Sequence, residues 1–322
     1  MTLDGLVIKQ QSGFFTVATD QGTYVCQLRG RLKEEATRKI RKGEMEPTDL
    51  CAIGDRVTIE AFEDGTGIID RVHPRERVLS RADHTGGRSA TTQGREQVII
   101  ANPDQAVFVM AASHPSPNPR TLDRLLVAAE KGHIPEIHIV CNKIDLVPRE
   151  EAEAIFKLYE DIGYPVLYTS TETGEGVDEL RTILKDKISV FTGPSGVGKT
   201  SLLNAIQPDL GRRVKAVSRA TTKGRHTTVH RELIPLEEGG YVADTPGIRA
   251  IAIWDVEPWE LDAYFIDIAP YVADCQFADC THTHEPGCAV RAAVERGDIH
   301  PQRYESYLRL REDIEATYED WA

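Results

Sequence analysis

The chain has 322 residues, 40% of them hydrophobic and 28% charged, with a net charge of −13. That length points to two or three domains, and the composition is that of an ordinary globular protein rather than a disordered or fibrous one. No apolar run approaches the ~18 residues of a membrane span, and the early Asp4 argues against a signal peptide. Six cysteines in so long a chain do not read as a disulfide framework, so a cytoplasmic location is expected.

The acidity is unevenly spread. Residues 255–322 hold 16 acidic and 5 basic side chains, whereas residues 211–231 hold seven Lys/Arg and no acid. Residues 71–95 carry six arginines against Glu76 and Asp83. Basic blocks of this kind suit phosphate backbones, and they equally suit a solvated loop.

Residues 3–80 read as a small β domain. Five short strands, near residues 6–8, 14–18, 23–28, 56–60 and 67–72, are punctuated by Gly13, Gly22, Gly54 and Gly65. The count and spacing fit an OB-fold barrel, a shape that commonly binds oligonucleotides, although a barrel with no nucleic-acid role has the same pattern. The basic insert 29–42 lies between strands. Residues 81–97, with Gly86-Gly87 and Gly94, read as a polar linker.

From residue 98 onward, strand and helix alternate. Strands are expected at 105–112, 137–141 and 165–169, and helices at 121–131, 149–162 and 177–184. Near-continuous apolar strands alternating with helices predict a parallel sheet buried on both faces, an α/β arrangement. Asn142-Lys143-Ile144-Asp145 follows one of these strands. A carboxylate there accepts from both the ring N–H and the amino group of guanine, a donor pair that adenine lacks. The Asn142 amide would contact the opposite edge of the base, and the Lys143 stem would pack over the ring. Ser170, after the next strand, falls where its backbone would support the base.

Residues 188–206 are the most informative stretch. An apolar strand leads into Gly193-Pro194-Ser195-Gly196-Val197-Gly198-Lys199-Thr200, and Ser201 continues into a helix. This is the full phosphate-loop pattern in strand–loop–helix context. The loop amides and the helix N-terminus converge on an anion. Lys199 would reach the outer phosphates, and the Thr200 hydroxyl would bind Mg²⁺. The segment 218–231 then carries Gly224-Arg225-His226-Thr227-Thr228, a hairpin-like pair follows, and it ends in Asp244-Thr245-Pro246-Gly247. An acid at that strand end would hold Mg²⁺ through water, and the Gly247 amide would sense a γ-phosphate.

Residues 249–268 read as more helical. Cys275-x4-Cys280-x-His282-x5-Cys288 then supplies the Cys₃His set of a structural zinc site, which leaves no open position for a reactive water. His284 is an alternative to His282, and a redox cluster is the alternative to a metal. Helices are expected at 289–296 and 302–318.

The motif order is unusual. The base-reading turn precedes the phosphate loop, and Asp-x-x-Gly comes last, so the chain is a circular permutation of the ordinary GTPase order. A barrel, a permuted GTPase and a Cys₃His module together resemble the ribosome small-subunit-dependent GTPase A family (RsgA, also called YjeQ) over nearly the whole chain. The resemblance implies a GTPase that acts late in small (30S) ribosomal subunit assembly, binds near the decoding region and leaves after hydrolysis.

The resulting expectation is an OB-fold RNA-binding domain at residues 1–80, a linker at 81–97, a permuted GTPase domain at 98–252 and a zinc-binding helical domain at 253–322. The partners would be the small subunit and its rRNA, with no membrane, and the protein would act as a monomer. Lys199, Thr228 and His226 would carry hydrolysis, with Thr200, Thr228 and Asp244 around Mg²⁺. Position 248, where many GTPases place a water-orienting glutamine, is Ile248; His226 is the nearest substitute in sequence, and the resemblance points the same way. Two rival readings remain. One is an RNA-binding assembly factor for which GTP is only a conformational ligand. The other is an ATPase or kinase, against which Asp145 speaks.

Overall fold

The structure, a computed structural model, describes residues 1–41, 49–83, 95–214, 231–244 and 256–319. Its first strand, β1 (Thr2–Gln11), belongs to two structures at once. Residues Thr2 to Leu6 pair antiparallel with β4 (Arg56–Ala61), and Gly5 to Gln11 pair with β2 (Phe14–Thr19). β2 pairs with β3 (Gly22–Leu28), which runs parallel to β5 (Thr66–Val72), and β5 returns to β4. Five strands therefore close on themselves around Val7, Phe15, Val17, Cys26, Val57, Ile59 and Ile69. This is the expected OB-like barrel. Helix α1 (Gly30–Arg41) occupies the basic insert.

Beyond the barrel, β6 (Val78–Asp83) pairs antiparallel with β7 (Arg95–Ala101). Both ends of the segment expected to be a linker are thus strand, and its middle lies outside the described residues. Next come β8 (Gln105–Ala111), helix α2 (Pro119–Lys131), β9 (Glu136–Asn142), helix α3 (Arg149–Asp161), β10 (Val166–Thr169), helix α4 (Val177–Leu184), β11 (Ile188–Thr192) and helix α5 (Lys199–Ile206). β12 (Arg231–Pro235) and β13 (Tyr241–Asp244) follow. The parallel strands lie in the order β10-β9-β8-β11-β13, and β12 runs antiparallel beside β13. Every residue of β8 is buried. Ala106, Phe108 and Met110 face α2 and α3, packing with Leu122, Leu126 and Phe156. Val107, Val109 and Ala111 face α4 and α5, packing with Leu180, Leu202 and Leu203. Burial on both faces is why the strand reads as one apolar run. Each large side chain so buried contributes about 1.5–3 kcal/mol.

The barrel is built into this sheet. Lys9 and Gln10 of β1 pair with Glu232 and Arg231 of β12, which makes one sheet of eleven strands. A second seat lies at the turn before β4. Gly54 has a left-handed φ of +86°, and a Cβ there would come within 1.9 Å of the Ala101 carbonyl oxygen. The Asn102 amide donates to the Gly54 carbonyl at 3.2 Å and accepts from the Glu76 N–H at 2.9 Å. Arg75 grips the fully buried Asp55 with two hydrogen bonds of 2.8 Å.

The C-terminal module packs Val256, Leu261, Phe265, Ile268, Val290, Tyr307 and Ile314 into one core with Val127 of α2. Helices Ala289–Arg296 and Pro301–Glu319 are present as expected. The helical expectation for 249–268 is corrected: residues 256–268 carry a single 3₁₀ turn, Leu261–Tyr264. Pro258 and Pro270 bracket that turn, and each disfavours helix in the residue before it. Residues 249–255 lie outside the described part.

Candidate functional site: a guanine-nucleotide pocket and a cysteine–histidine cluster

β8, β9, β10 and β11 are parallel, so their carboxyl ends lie at one edge of the sheet, where such folds bind ligands. The base-reading turn leaves β9 there and the phosphate loop leaves β11 there. The two are in direct contact. Asn142 Nδ2 donates to the Val197 carbonyl at 2.8 Å, and Lys143 Nζ donates to the Gly196 carbonyl at 2.6 Å and to the His114 carbonyl. Gly198 makes this approach possible: a Cβ on it would lie 2.3 Å from Asn142 Nδ2. Its φ of +97° also suits glycine alone.

The side chains do more bracing than sequence reasoning assigned to them. Asn142 is 1% exposed, and its Oδ1 accepts from the Thr169 hydroxyl at 3.1 Å. Its second N–H remains for a base. Ser170 acts through its side chain as well as its position. Its hydroxyl donates to Asp145 Oδ1 at 2.5 Å and accepts from the Glu172 and Thr173 N–H groups. That carboxylate oxygen is thereby fixed in place, and the carboxylate keeps lone pairs for the two donors of guanine. Lys143 sits in the left-handed region, with φ 62°, at the head of the 3₁₀ turn Ile144–Leu146. Thr169 and the His114 carbonyl were missed in the sequence; their only signal was their place at or just after a strand end.

On the phosphate side, Gly193 passes so close to β8 that a Cβ would fall 2.0 Å from the Val109 carbonyl oxygen. Lys199 Nζ lies over the loop, donating to the Gly193 and Pro194 carbonyls at 2.7 and 2.8 Å. An open cavity of about 1630 Å³ covers Ser195, Lys199, Thr200 and Ser201 and extends to the C-terminal helix at Arg309 and Asp313. Asp244 pairs with Phe191 across β13 and β11, which sets its backbone beside the strand that feeds the phosphate loop. His226, Thr227, Thr228 and Gly247 lie outside the described residues, as does the side chain of Asp244.

The second cluster is in the C-terminal module. One ligand atom from each of Cys275, Cys280, His282 and Cys288 lies within 4.8 Å of the others, a fit for a four-coordinate zinc ion. His282, fully buried, takes part; His284 is exposed and meets the Thr283 hydroxyl instead. Burial raises the Cys275 thiol, but the Val290 and Ala289 N–H groups outweigh it, and its pKa lies below the ordinary thiol value. Burial pushes the Cys280 thiol up to about 12. One sulfur is thus already inclined to the thiolate form that a metal requires.

Between the module and the GTPase sheet lies Arg303, which is fully buried. It donates to Asp123 of α2 and to Asp267 of the module, the latter at 2.8 Å from one guanidinium nitrogen and 3.2 Å from another. Burial opposes the Arg303 charge, but Asp267 and Asp123 outweigh it, and its pKa is raised.

A base-reading turn and a phosphate loop on adjoining strand ends, in reversed chain order, define a circularly permuted GTPase. Residues 72–254 match the family described as RsgA GTPase, and residues 4–69 match the RsgA N-terminal domain. The chain belongs to the RsgA GTPase family. It is 45% identical over 313 residues to the small ribosomal subunit biogenesis GTPase RsgA of Gemmatimonas aurantiaca, covering 96% of this chain and 97% of that one. Among solved structures, YjeQ from Thermotoga maritima superposes with a TM-score of 0.73 at 34% identity, covering 98% and 99% of the two chains. YloQ, titled a circularly permuted GTPase, superposes with a TM-score of 0.70 at 30% identity, covering 98% and 96%. No helix among the described residues is long and apolar enough to cross a membrane.

Proposed function

We propose that this GTPase converts GTP to GDP and phosphate by in-line attack of water and that it works as a late assembly factor of the small ribosomal subunit. The observation that carries the nucleotide assignment is the contact of Asn142 and Lys143 with the phosphate loop, which joins the two halves of one guanine pocket. Asp145, steadied by Ser170, selects guanine. The loop amides and Lys199 offset the charge that develops on the transferred phosphoryl group. Thr200 fits a Mg²⁺ ligand because it opens helix α5 beside Lys199; the ion, held there with Asp244 and Thr228, would neutralise phosphate charge. His226 orients the attacking water. The role in subunit assembly is supported by the names of the relatives, and contact with rRNA by the barrel and the basic segments. The Cys₃His cluster holds one structural zinc. The protein acts in the cytoplasm, as a monomer.

The test is phosphate release from GTP by the full-length protein, with and without purified small subunits, and with ATP in place of GTP. The expected result is GTP-specific turnover that subunits stimulate and that His226→Ala loses. Nucleotide-dependent subunit binding without stimulated turnover would favour the reading in which GTP is only a conformational ligand. Asp145→Ala should weaken GTP binding about 10–100-fold, the loss of one charged hydrogen-bonding partner, with little change in phosphate-only contacts.

A further inference from the structure

The four expected zinc ligands come from the loop 275–288, but the group that fixes the histidine comes from elsewhere. His282 Nδ1 lies 3.5 Å from Cys275 Sγ and 3.4 Å from Cys288 Sγ, so this nitrogen faces the centre of the cluster. Nε2 points the other way, 3.0 Å from Asp262 Oδ2. Asp262 belongs to the 3₁₀ turn Leu261–Tyr264, thirteen residues before the first cysteine. The backbone at His282 is itself held, with a left-handed φ of 61° and its carbonyl accepting from the Tyr304 hydroxyl at 2.5 Å.

An imidazole nitrogen binds a metal only when it carries no proton, so the single proton of a neutral ligating ring sits on the other nitrogen. A carboxylate that accepts that proton fixes both the tautomer and the ring's orientation, and makes the ligating nitrogen more basic. We propose that Asp262 is the positioning residue of this metal site: it takes the Nε2–H hydrogen bond of His282 and presents Nδ1 to the ion alongside the three sulfurs. This rests on the zinc reading given above. It extends that reading to an element outside the ligand loop, since the neighbouring Glu260 pairs with Lys131 of α2 at 2.6 Å. The turn that orients the metal ligand is therefore also one that seats the module on the GTPase domain.

The experiment measures zinc affinity of the full-length protein by competition with a chromophoric chelator, for the unaltered chain and for Asp262→Ala, Asp262→Glu and Glu260→Gln. Asp262→Ala should bind zinc about 10–100-fold more weakly, Asp262→Glu should recover part of that loss, and Glu260→Gln should bind as the unaltered chain does. Cobalt-loaded Asp262→Ala should show a shifted d–d spectrum, which a mere loss of packing would not produce. A measurement on the unaltered protein guards against a variant that does not fold. With ¹¹³Cd bound and histidine ¹⁵N-labelled, the metal should couple to Nδ1, and Nε2 should carry the proton. Coupling to Nε2, or equal zinc affinity of Asp262→Ala and the unaltered chain, overturns the proposal while leaving the zinc site intact. An unaltered chain that takes up no zinc overturns the site itself.

Discussion

The barrel and the C-terminal module are both anchored to the GTPase domain, but by different chemistry. The barrel is joined through backbone: β1 pairs with β12, and Gly54 lies against the Ala101 carbonyl. The module is joined through buried charge, with Arg303 between Asp123 and Asp267. A backbone joint depends little on which side chains sit in it, except where a glycine is needed for close approach or where a side-chain amide, here that of Asn102, ties the backbones together. In the charge joint Arg303 is the most exacting side chain, beside the packing of Val127 and the Lys131–Glu260 pair, because removing it leaves two carboxylates buried without their partner. The positions differ as well. β12 follows the basic segment that carries His226 and Thr228, whereas α2 is linked to the phosphate loop through the cavity it helps to line.

Three substitutions sharpen this contrast. Arg303→Met should cost most, about 3–5 kcal/mol, the usual penalty for breaking a buried ion pair on one side; calorimetry should show an early transition confined to the C-terminal module. Gly54→Ala should cost about 1–3 kcal/mol, from a left-handed backbone and an overlap with Ala101, and amide exchange at Lys9, Gln10 and Glu232 should speed up. Lys9→Ala removes the 3.2 Å ion pair to Glu232, in which both side chains are about one-third exposed. It should cost no more than about 1 kcal/mol and leave exchange in the seam unchanged. If Lys9→Ala proved as damaging as Gly54→Ala, the barrel's attachment would rest on side chains rather than on backbone.

The nucleotide pocket was largely legible in the sequence because its parts are contiguous. Gly193 to Thr200 and Asn142 to Asp145 are each contiguous, and each follows a largely buried strand whose direction fixes where the segment points. What was not legible was how those turns hold one another. Nothing local marks Thr169 as the partner of Asn142, or the Ser170 hydroxyl as the clamp on Asp145, because both contacts cross between strands. The β6–β7 pairing was hidden for a related reason: its outer halves are polar, and strand formation there follows from pairing rather than from propensity. Helix α1 left a usable trace, Leu32, Ala36 and Ile40 at intervals of four. Asp262 had no trace at all, since an outer-sphere carboxylate needs only to arrive in space.

The shared strand has one more consequence. β1 pairs with Arg231 and Glu232, and so covers the first part of β12, the strand that borders the GTPase sheet on that side. A protein shortened to begin after the barrel would uncover the backbone of Arg231 and Glu232, and open edges of that kind recruit strands from neighbouring molecules. In the intact chain the barrel occupies that stretch of edge, whatever else it binds.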